Sequence, residues 1–396
     1  MKPQRWPILT DGDRAAVVRV LDRGVLSGAG APEMKALESE FAAEVGARFC
    51  LATNSGTSAL HIALAAAGVG PGDEVIVPAL SFIATAQAVL HQGATPVFAD
   101  VEPATYNMDP ADCARRISAR TRAIVPVHVH GLPADMDAIG GLARERGLTV
   151  IEDAAQAHGA LYKGRVAGTL GAMAAFSLNS TKNLPAGEGG LFVTSSEELY
   201  ARAARVRFDG LEPPSKWDAT HPLDDEADAL ATLRGFMYLP GELTSALARA
   251  QLQRLGETTA RSQRNAARLG ERLARLPGVE PPAVPPDRTH VFHKYRVRLD
   301  PRAAGIALTP QALRDRTLEA LRAEGVEAVL WQTTPLPSHP LFASRERYPH
   351  ATAALESTLL IGSQSYPLFA QPLEVVDAWA DGVETAWKAI VRESRP

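Results

Sequence analysis

Lys182 lies in the run Phe176-Ser-Leu-Asn-Ser-Thr-Lys-Asn-Leu-Pro-Ala-Gly-Glu-Gly-Gly190, just past a short apolar stretch and just ahead of a glycine-rich turn. The chain carries seven lysines among 41 basic residues, so an ordinary solvated cationic face is built here from arginine. A lysine can shed its proton and condense with an aldehyde; arginine cannot. Upstream, Asp153 closes the run Leu148-Thr-Val-Ile-Glu152, with Gln156 and His158 following. A carboxylate at the mouth of a buried sheet loses water and requires a cationic or hydrogen-bonding partner. Farther upstream, Asn54-Ser-Gly-Thr-Ser58 opens an Ala-rich helical stretch, where free N–H groups and the helix dipole favour a phosphate. Each feature has a plainer use, as a solvent-facing lysine, an ion-paired aspartate or a helix cap.

Between about 45 and 195 the sequence alternates short apolar runs with helical stretches. Strands are expected at 74–78, 95–100, 123–129, 148–152, 174–177 and 190–194, mostly continuous in apolar character, as strands buried on both faces are. Helices at 57–68, 83–92 and 136–145 supply the crossovers of a mainly parallel sheet. The segment 211–233 is polar and Pro-bearing, and is expected to be an exposed loop. One long helix is expected over 243–276, then a linker at Pro277-Gly278 and Pro281–Pro286. A half-buried strand at 291–298 and helices near 310–324 and 373–392 complete a smaller α+β unit. The expected division is a large α/β domain over 1–255 and a small domain over 256–396.

In such a sheet the chemistry collects at strand exits and helix entries, and there lie Gly56, Thr57, Ser58, Asp153, Ser177 and Lys182. A phosphate seat, an anion for a ring nitrogen and an amine for an aldehyde describe pyridoxal 5′-phosphate. A nicotinamide dinucleotide is the rival for this architecture, but no G-x-G-x-x-G follows the first strand and no P-loop occurs.

Bulk properties exclude other classes. With 46% hydrophobic and 22% charged residues and a net charge of −4, the chain is expected to bind neither nucleic acid nor a membrane surface. Cys50 and Cys113 cannot build a disulfide framework or a zinc site, and no metal is expected. The opening Met1–Pro7 leads into a charged segment and no apolar run reaches spanning length, so a cytoplasmic location is expected.

Four motifs in order, Asn54-Ser-Gly-Thr-Ser-Ala-Leu60, Pro78-Ala-Leu-Ser-Phe-Ile-Ala-Thr85, Ile151-Glu-Asp-Ala-Ala-Gln-Ala-His-Gly159 and the Lys182 run, resemble the StrS/DegT family of fold-type-I pyridoxal-phosphate aminotransferases. The resemblance implies a seven-stranded, mainly parallel sheet between helices. It implies that Lys182 carries the cofactor as a Schiff base and later moves protons, and that Asp153 keeps the pyridinium nitrogen charged. Gln156 matches the residue near the ring hydroxyl, Phe82 the aromatic on the ring face, and Gly56, Thr57, Ser58 and Ser177 the phosphate cradle. Two positions depart. Asn179 stands where relatives carry His or an aromatic, and could reach phosphate or substrate. In Gly235-Phe-Met-Tyr-Leu-Pro-Gly-Glu-Leu243, Met237 and Leu239 replace an Asn that reaches the partner's phosphate and an Arg.

The activity so implied is transfer of an amino group from glutamate or glutamine to a keto sugar or keto-cyclitol, in sugar or antibiotic biosynthesis, by a homodimer with shared sites. A lyase or dehydratase on the same scaffold, and a catalytically inert homologue acting as a binding partner, are the alternatives. In the small domain, His293, Tyr295, Trp331 and Gln332 fall in segments that approach the cleft in relatives. Packing in a strand and its following loop is the plainer expectation for them.

Overall fold

Seven short apolar runs pair into one sheet in the computed structural model, which describes residues 2–211, 231–342 and 344–394. The strands are β1 (Phe49–Thr53), β2 (Glu74–Pro78), β3 (Thr95–Ala99), β4 (Thr121–Ile124), β5 (Thr149–Asp153), β8 (Met173–Ser177) and β9 (Gly190–Thr194), with a small hairpin of β6 (Leu161–Tyr162) and β7 (Arg165–Val166) between β5 and β8. Their order is β1-β9-β8-β5-β4-β2-β3. Only β9 runs against its neighbours; the other contacts are parallel. The fold is thus the expected α/β one with a mainly parallel seven-stranded sheet. Residues 212–230, the bulk of the expected exposed loop, lie outside the described residues.

Helices α1 (Asp11–Arg23), α2 (Pro32–Val45), α3 (Gly56–Ala66), α4 (Ala84–His91), α5 (Pro110–Arg116), α6 (Met136–Arg146) and α7 (Glu197–Arg207) accompany this sheet. α3 is buried almost all round, which its Ala-rich surface permits, with the buried His61 meeting the Tyr238 hydroxyl at 3.0 Å. A second, antiparallel sheet has the order β10 (Val279–Glu280), β11 (Tyr295–Leu299), β13 (Thr358–Ile361), β12 (Ala328–Val329). Around it pack α9 (Leu255–Leu273), α10 (Pro310–Ala323), α11 (Pro349–Ser357) and α12 (Leu373–Glu393), with α8 (Glu242–Leu252) before them against α1 and α2. In α12 the buried Val375, Val376, Trp379, Ala380, Val383, Trp387 and Ile390 repeat every three to four residues, the stripe of a helix laid on a core.

Three expectations need correction. The helix expected over 243–276 is two helices, broken at Gln253–Arg254. No Gly or Pro marks the break; Arg254 leaves helical geometry (φ −114°, ψ 7°) and its Nη2 donates to both Asp13 carboxylate oxygens, 2.7 and 3.0 Å away on α1. The chain thereby leaves the core of Met34, Phe41 and Ala248 and enters that of Leu269, Tyr295 and Trp379. The strand expected at 123–129 pairs as β4 only to Ile124, since Pro126 lacks an N–H and the chain turns at Val129–Gly131. The strand expected from 291 begins at Tyr295, because Phe292 takes a left-handed φ of 45°. β1, whose Phe-Cys-Leu-Ala-Thr lacks a β-branched run, is the strand of the seven-stranded sheet missing from the expected set.

Candidate active site

Asp153 is the last residue of β5 and is 5% exposed. Its Oδ2 accepts from the Thr85 hydroxyl at 2.7 Å, which also meets Ser81 Oγ at 2.8 Å, and its Oδ1 accepts from the Ala155 N–H at 3.2 Å. No cation among the described residues stands within 4 Å of it as an ion-pair partner. Burial therefore raises the carboxyl above its ordinary range, against the Thr85 and Ala155 hydrogen bonds and the field of Lys182. The lysine responds in the opposite sense. Burial pushes its ammonium down to about 8, with Asp153 and then Glu188 pulling it up.

Lys182 stands on a loop that leaves β8 and returns into β9, laddered by Leu178 N–H to Gly189 O (2.9 Å) and Ser180 N–H to Gly187 O (2.8 Å). The Trp6 indole N–H donates to the Lys182 carbonyl at 3.1 Å. The next residue, Asn183, donates from Nδ2 to Val291 O at 3.1 Å and meets His293 Nδ1 at 3.2 Å. Loop and small-sheet segment are thus clamped together beside the lysine.

The α3 N-terminus faces the same strand ends. Ser55 caps it, accepting from the Ser58 N–H at 3.1 Å, while the Ser58 hydroxyl donates to Asn54 Oδ1 at 2.6 Å. The first-turn N–H groups of Gly56 and Thr57 have no intrahelical partner. A Cβ on Gly56 would stand 2.8 Å from Ser177 Cβ, and one on Gly190 would stand 2.3 Å from Ser55 O. Only glycine lets α3, β8 and β9 approach this closely, which brings the first turn of α3, Gly56, Thr57 and Ser58, up against Ser177 at the end of β8.

Gln156 is buried; its Oε1 accepts from the His130 N–H at 2.8 Å, and His130 Nδ1 lies 3.3 Å from it. Phe82, at the entry to α4, is 57% exposed, an apolar ring left facing out beside the buried Ser81. Asn179 is engaged within its own turn: Oδ1 accepts from the Thr181 N–H (3.0 Å) and hydroxyl (2.9 Å), and Nδ2 donates to Glu188 Oε1 at 2.8 Å. Burial, with Lys182 adding to it, lowers His158 to about 3, so the imidazole there is neutral.

Of the small-sheet residues, Tyr295 packs in its core as the plainer expectation has it. His293, Trp331 and Gln332 instead reach across: Trp331 meets the His130 ring edge-on at 4.7 Å, and Gln332 Nε2 donates to the Ser81 carbonyl. Sequence reasoning missed Thr85, His130 and Asn183. Thr85 had a signal, a hydroxyl four residues after Ser81 at the entry to α4; the other two had none. Met237 is 55% exposed, and Leu239 packs beside the core of Met34 and Phe41. Among the described residues no group of three or more His, Cys, Asp or Glu is placed to hold a metal ion, and no helix is long and apolar enough to cross a membrane.

A sequence model of the DegT/DnrJ/EryC1/StrS aminotransferase family matches residues 7–370. The chain belongs to this family. This aminotransferase is 36% identical over 351 residues to the spore coat polysaccharide biosynthesis protein SpsC of Bacillus subtilis, spanning 88% of this chain and 87% of SpsC. It is 38% identical over 323 residues to the GDP-perosamine synthase of Caulobacter vibrioides, spanning 81% of this chain and 82% of that protein. Among solved structures, DesV of S. venezuelae aligns with a TM-score of 0.82 at 33% identity, over 97% of this chain and 99% of DesV. Fold and family therefore agree on a sugar aminotransferase family whose members depend on pyridoxal phosphate.

Proposed function

We propose that this aminotransferase holds pyridoxal 5′-phosphate at Lys182 and moves an amino group from glutamate or glutamine to a keto sugar or keto-cyclitol. The observation that carries the reading is that Lys182 lies within the electrostatic reach of Asp153, a buried carboxylate that lacks an ion-pair partner among the described residues and whose charged form a protonated ring nitrogen would stabilise. The free first-turn N–H groups of α3 at Gly56 and Thr57, with Ser58 and Ser177 beside them, suit a phosphate, and the outward Phe82 ring suits a planar ligand. Gln156 takes the place near the ring hydroxyl.

When bound, the cofactor supplies an electron sink for the carbanion left by removal of an α-proton. The remaining chemistry is the protein's. Lys182 Nζ, its proton affinity lowered by burial, takes the proton from the donor's α-carbon and returns one to the carbon that becomes the new amine centre. Asp153, oriented by Thr85, would hold its carboxylate for the ring nitrogen, whose positive charge would favour the ionised form. Overall, amino acid and ketone become 2-oxo acid and amine.

The reading extends to a homodimer with shared sites, in which the exposed Met237 meets the partner without the hydrogen bond its relatives' Asn makes. It keeps the division into domains 1–255 and 256–396, a cytoplasmic location, and a place in sugar or antibiotic biosynthesis. Names such as GDP-perosamine synthase support a sugar acceptor. The test is to purify the protein, record a visible absorbance band that borohydride or glutamate bleaches, and follow 2-oxoglutarate release with keto-sugar nucleotides and free keto-cyclitols in parallel. Absence of the band in protein given pyridoxal phosphate would refute the cofactor; absence of product with both acceptor classes would refute the acceptor.

A further inference from the structure

Arg296 is the second residue of β11 and is 4% exposed. Its Nε and Nη1 are both buried without a hydrogen-bond partner among the described residues. The guanidinium carbon lies over two rings, 4.9 Å from the centre of Tyr106 and 5.6 Å from that of Trp331. Rings stabilise a guanidinium through its faces, but its N–H donors point outward in the plane and gain nothing from stacking. A buried cation whose in-plane donors are empty is costly unless something anionic completes it.

The surroundings add positive charge and withhold negative charge. Lys294, in the bend that leads into β11, is lowered to about 7 by burial, then by the fields of Lys182 and Arg296. Burial lowers Arg296 to about 10, and the one charged influence pulling it back is the Tyr106 phenol. Among the described residues no carboxylate offsets either group. The place is next to the chemistry. Trp331 leans on His130, whose N–H donates to Gln156. Lys294 N–H is 3.5 Å from His130 O, and Val291 and His293 are tied to Asn183, the residue after Lys182.

We propose that Arg296, with Lys294 beside it, is a carboxylate-binding subsite of the active site, taking a carboxylate on the edge of the guanidinium that Nη2 shares with Nε or Nη1. A carboxylate matches that planar, two-pronged donor edge, and its single charge suits a guanidinium flanked by two aromatic rings. The subsite rests on the transaminase reading for its reacting partner. The carboxylate belongs either to the amino donor and its 2-oxo acid or to an acid-bearing sugar acceptor.

The test is calorimetric titration of the purified full-length protein with glutarate and, separately, with glucuronate and glucose. Wild type, Arg296→Gln, Arg296→Lys and Lys294→Met are compared, with thermal melting alongside. Glutarate affinity is expected to fall at least about tenfold in Arg296→Gln, the scale of losing a charge-assisted hydrogen bond, and less in Arg296→Lys. The same loss seen with glucuronate but not glutarate assigns the carboxylate to the acceptor and upholds the subsite. Unchanged affinity for both acids in Arg296→Gln, or in Lys294→Met should Arg296→Gln not fold, overturns it and leaves Arg296 as a stacked structural cation. Arg296-dependent glutarate binding by a protein that never shows the visible band upholds the subsite and sinks the cofactor reading instead.

Discussion

On the large-sheet side of the site, Asp153, Ser177 and Gly56 stand at the ends of β5 and β8 and the start of α3, each marked within its own stretch of sequence as a strand exit or a helix entry. On the small-sheet side, Arg296 finds Tyr106 and Trp331, and Asn183 finds Val291, across long stretches of chain. The first side is specified locally, by glycines that allow close approach and by polar residues at strand exits. The second exists only after two separately packed sheets meet. The difference suggests that reaction chemistry is fixed by the first side and choice of substrate by the second.

Substitutions should divide along the same line. Lys182→Ala should remove more than about 10⁴-fold of turnover, beyond what loss of a proton-transfer group alone costs, and should abolish the visible band. Asp153→Asn should lower kcat about 10²–10³-fold, the scale of removing one preorganised electrostatic partner. Its effect on stability should have the opposite sign. Because burial raises the folded carboxyl, its ionised form destabilises the cofactor-free fold as pH rises above the unfolded value, so differential scanning calorimetry of the cofactor-free variant at pH 7 should show no drop in Tm.

Gly56→Ala drives a Cβ to within 2.8 Å of Ser177 and should destabilise the fold by about 1–3 kcal/mol in chemical denaturation, while weakening cofactor retention on dialysis. Lys182, lowered to about 8, should make uptake of pyridoxal phosphate by the cofactor-free protein rise roughly tenfold from pH 7 to pH 9 as the neutral amine accumulates, measured by stopped-flow absorbance. The smallest expected effect tests the other side. Trp331→Ala should raise KM roughly threefold to thirtyfold through the lost ring contacts, with kcat nearly unchanged. A kcat loss as large as that of Asp153→Asn would erase the contrast between the two sides.

The same asymmetry governs what could be read from the chain. Lys182 was legible because it is one of seven lysines in an arginine-rich chain and precedes a glycine-rich turn, Asp153 because a carboxylate at a strand exit is conspicuous, and Gly56 because a glycine before an Ala-rich helix is. Arg296 was not: in Val291–Arg298 it occupies an ordinary alternating position, and its burial depends on Tyr106 and Trp331 arriving from elsewhere. The break at Arg254 escaped for a related reason, since its cause is Asp13 on another helix. Asn179, whose side chain could equally serve a ligand by composition, is taken up by Thr181 and Glu188.

The reversed polarity of β9 has a mechanical consequence. Because β8 leaves and β9 enters at the same rim of the sheet, the lysine rides on a short tether pegged at both ends, with Trp6 as a third peg. Its backbone has almost no slack, so whatever travel catalysis demands of the amine falls to four methylenes. Lengthening that tether by even a few residues should cost more than the same insertion in any of the helical crossovers around it.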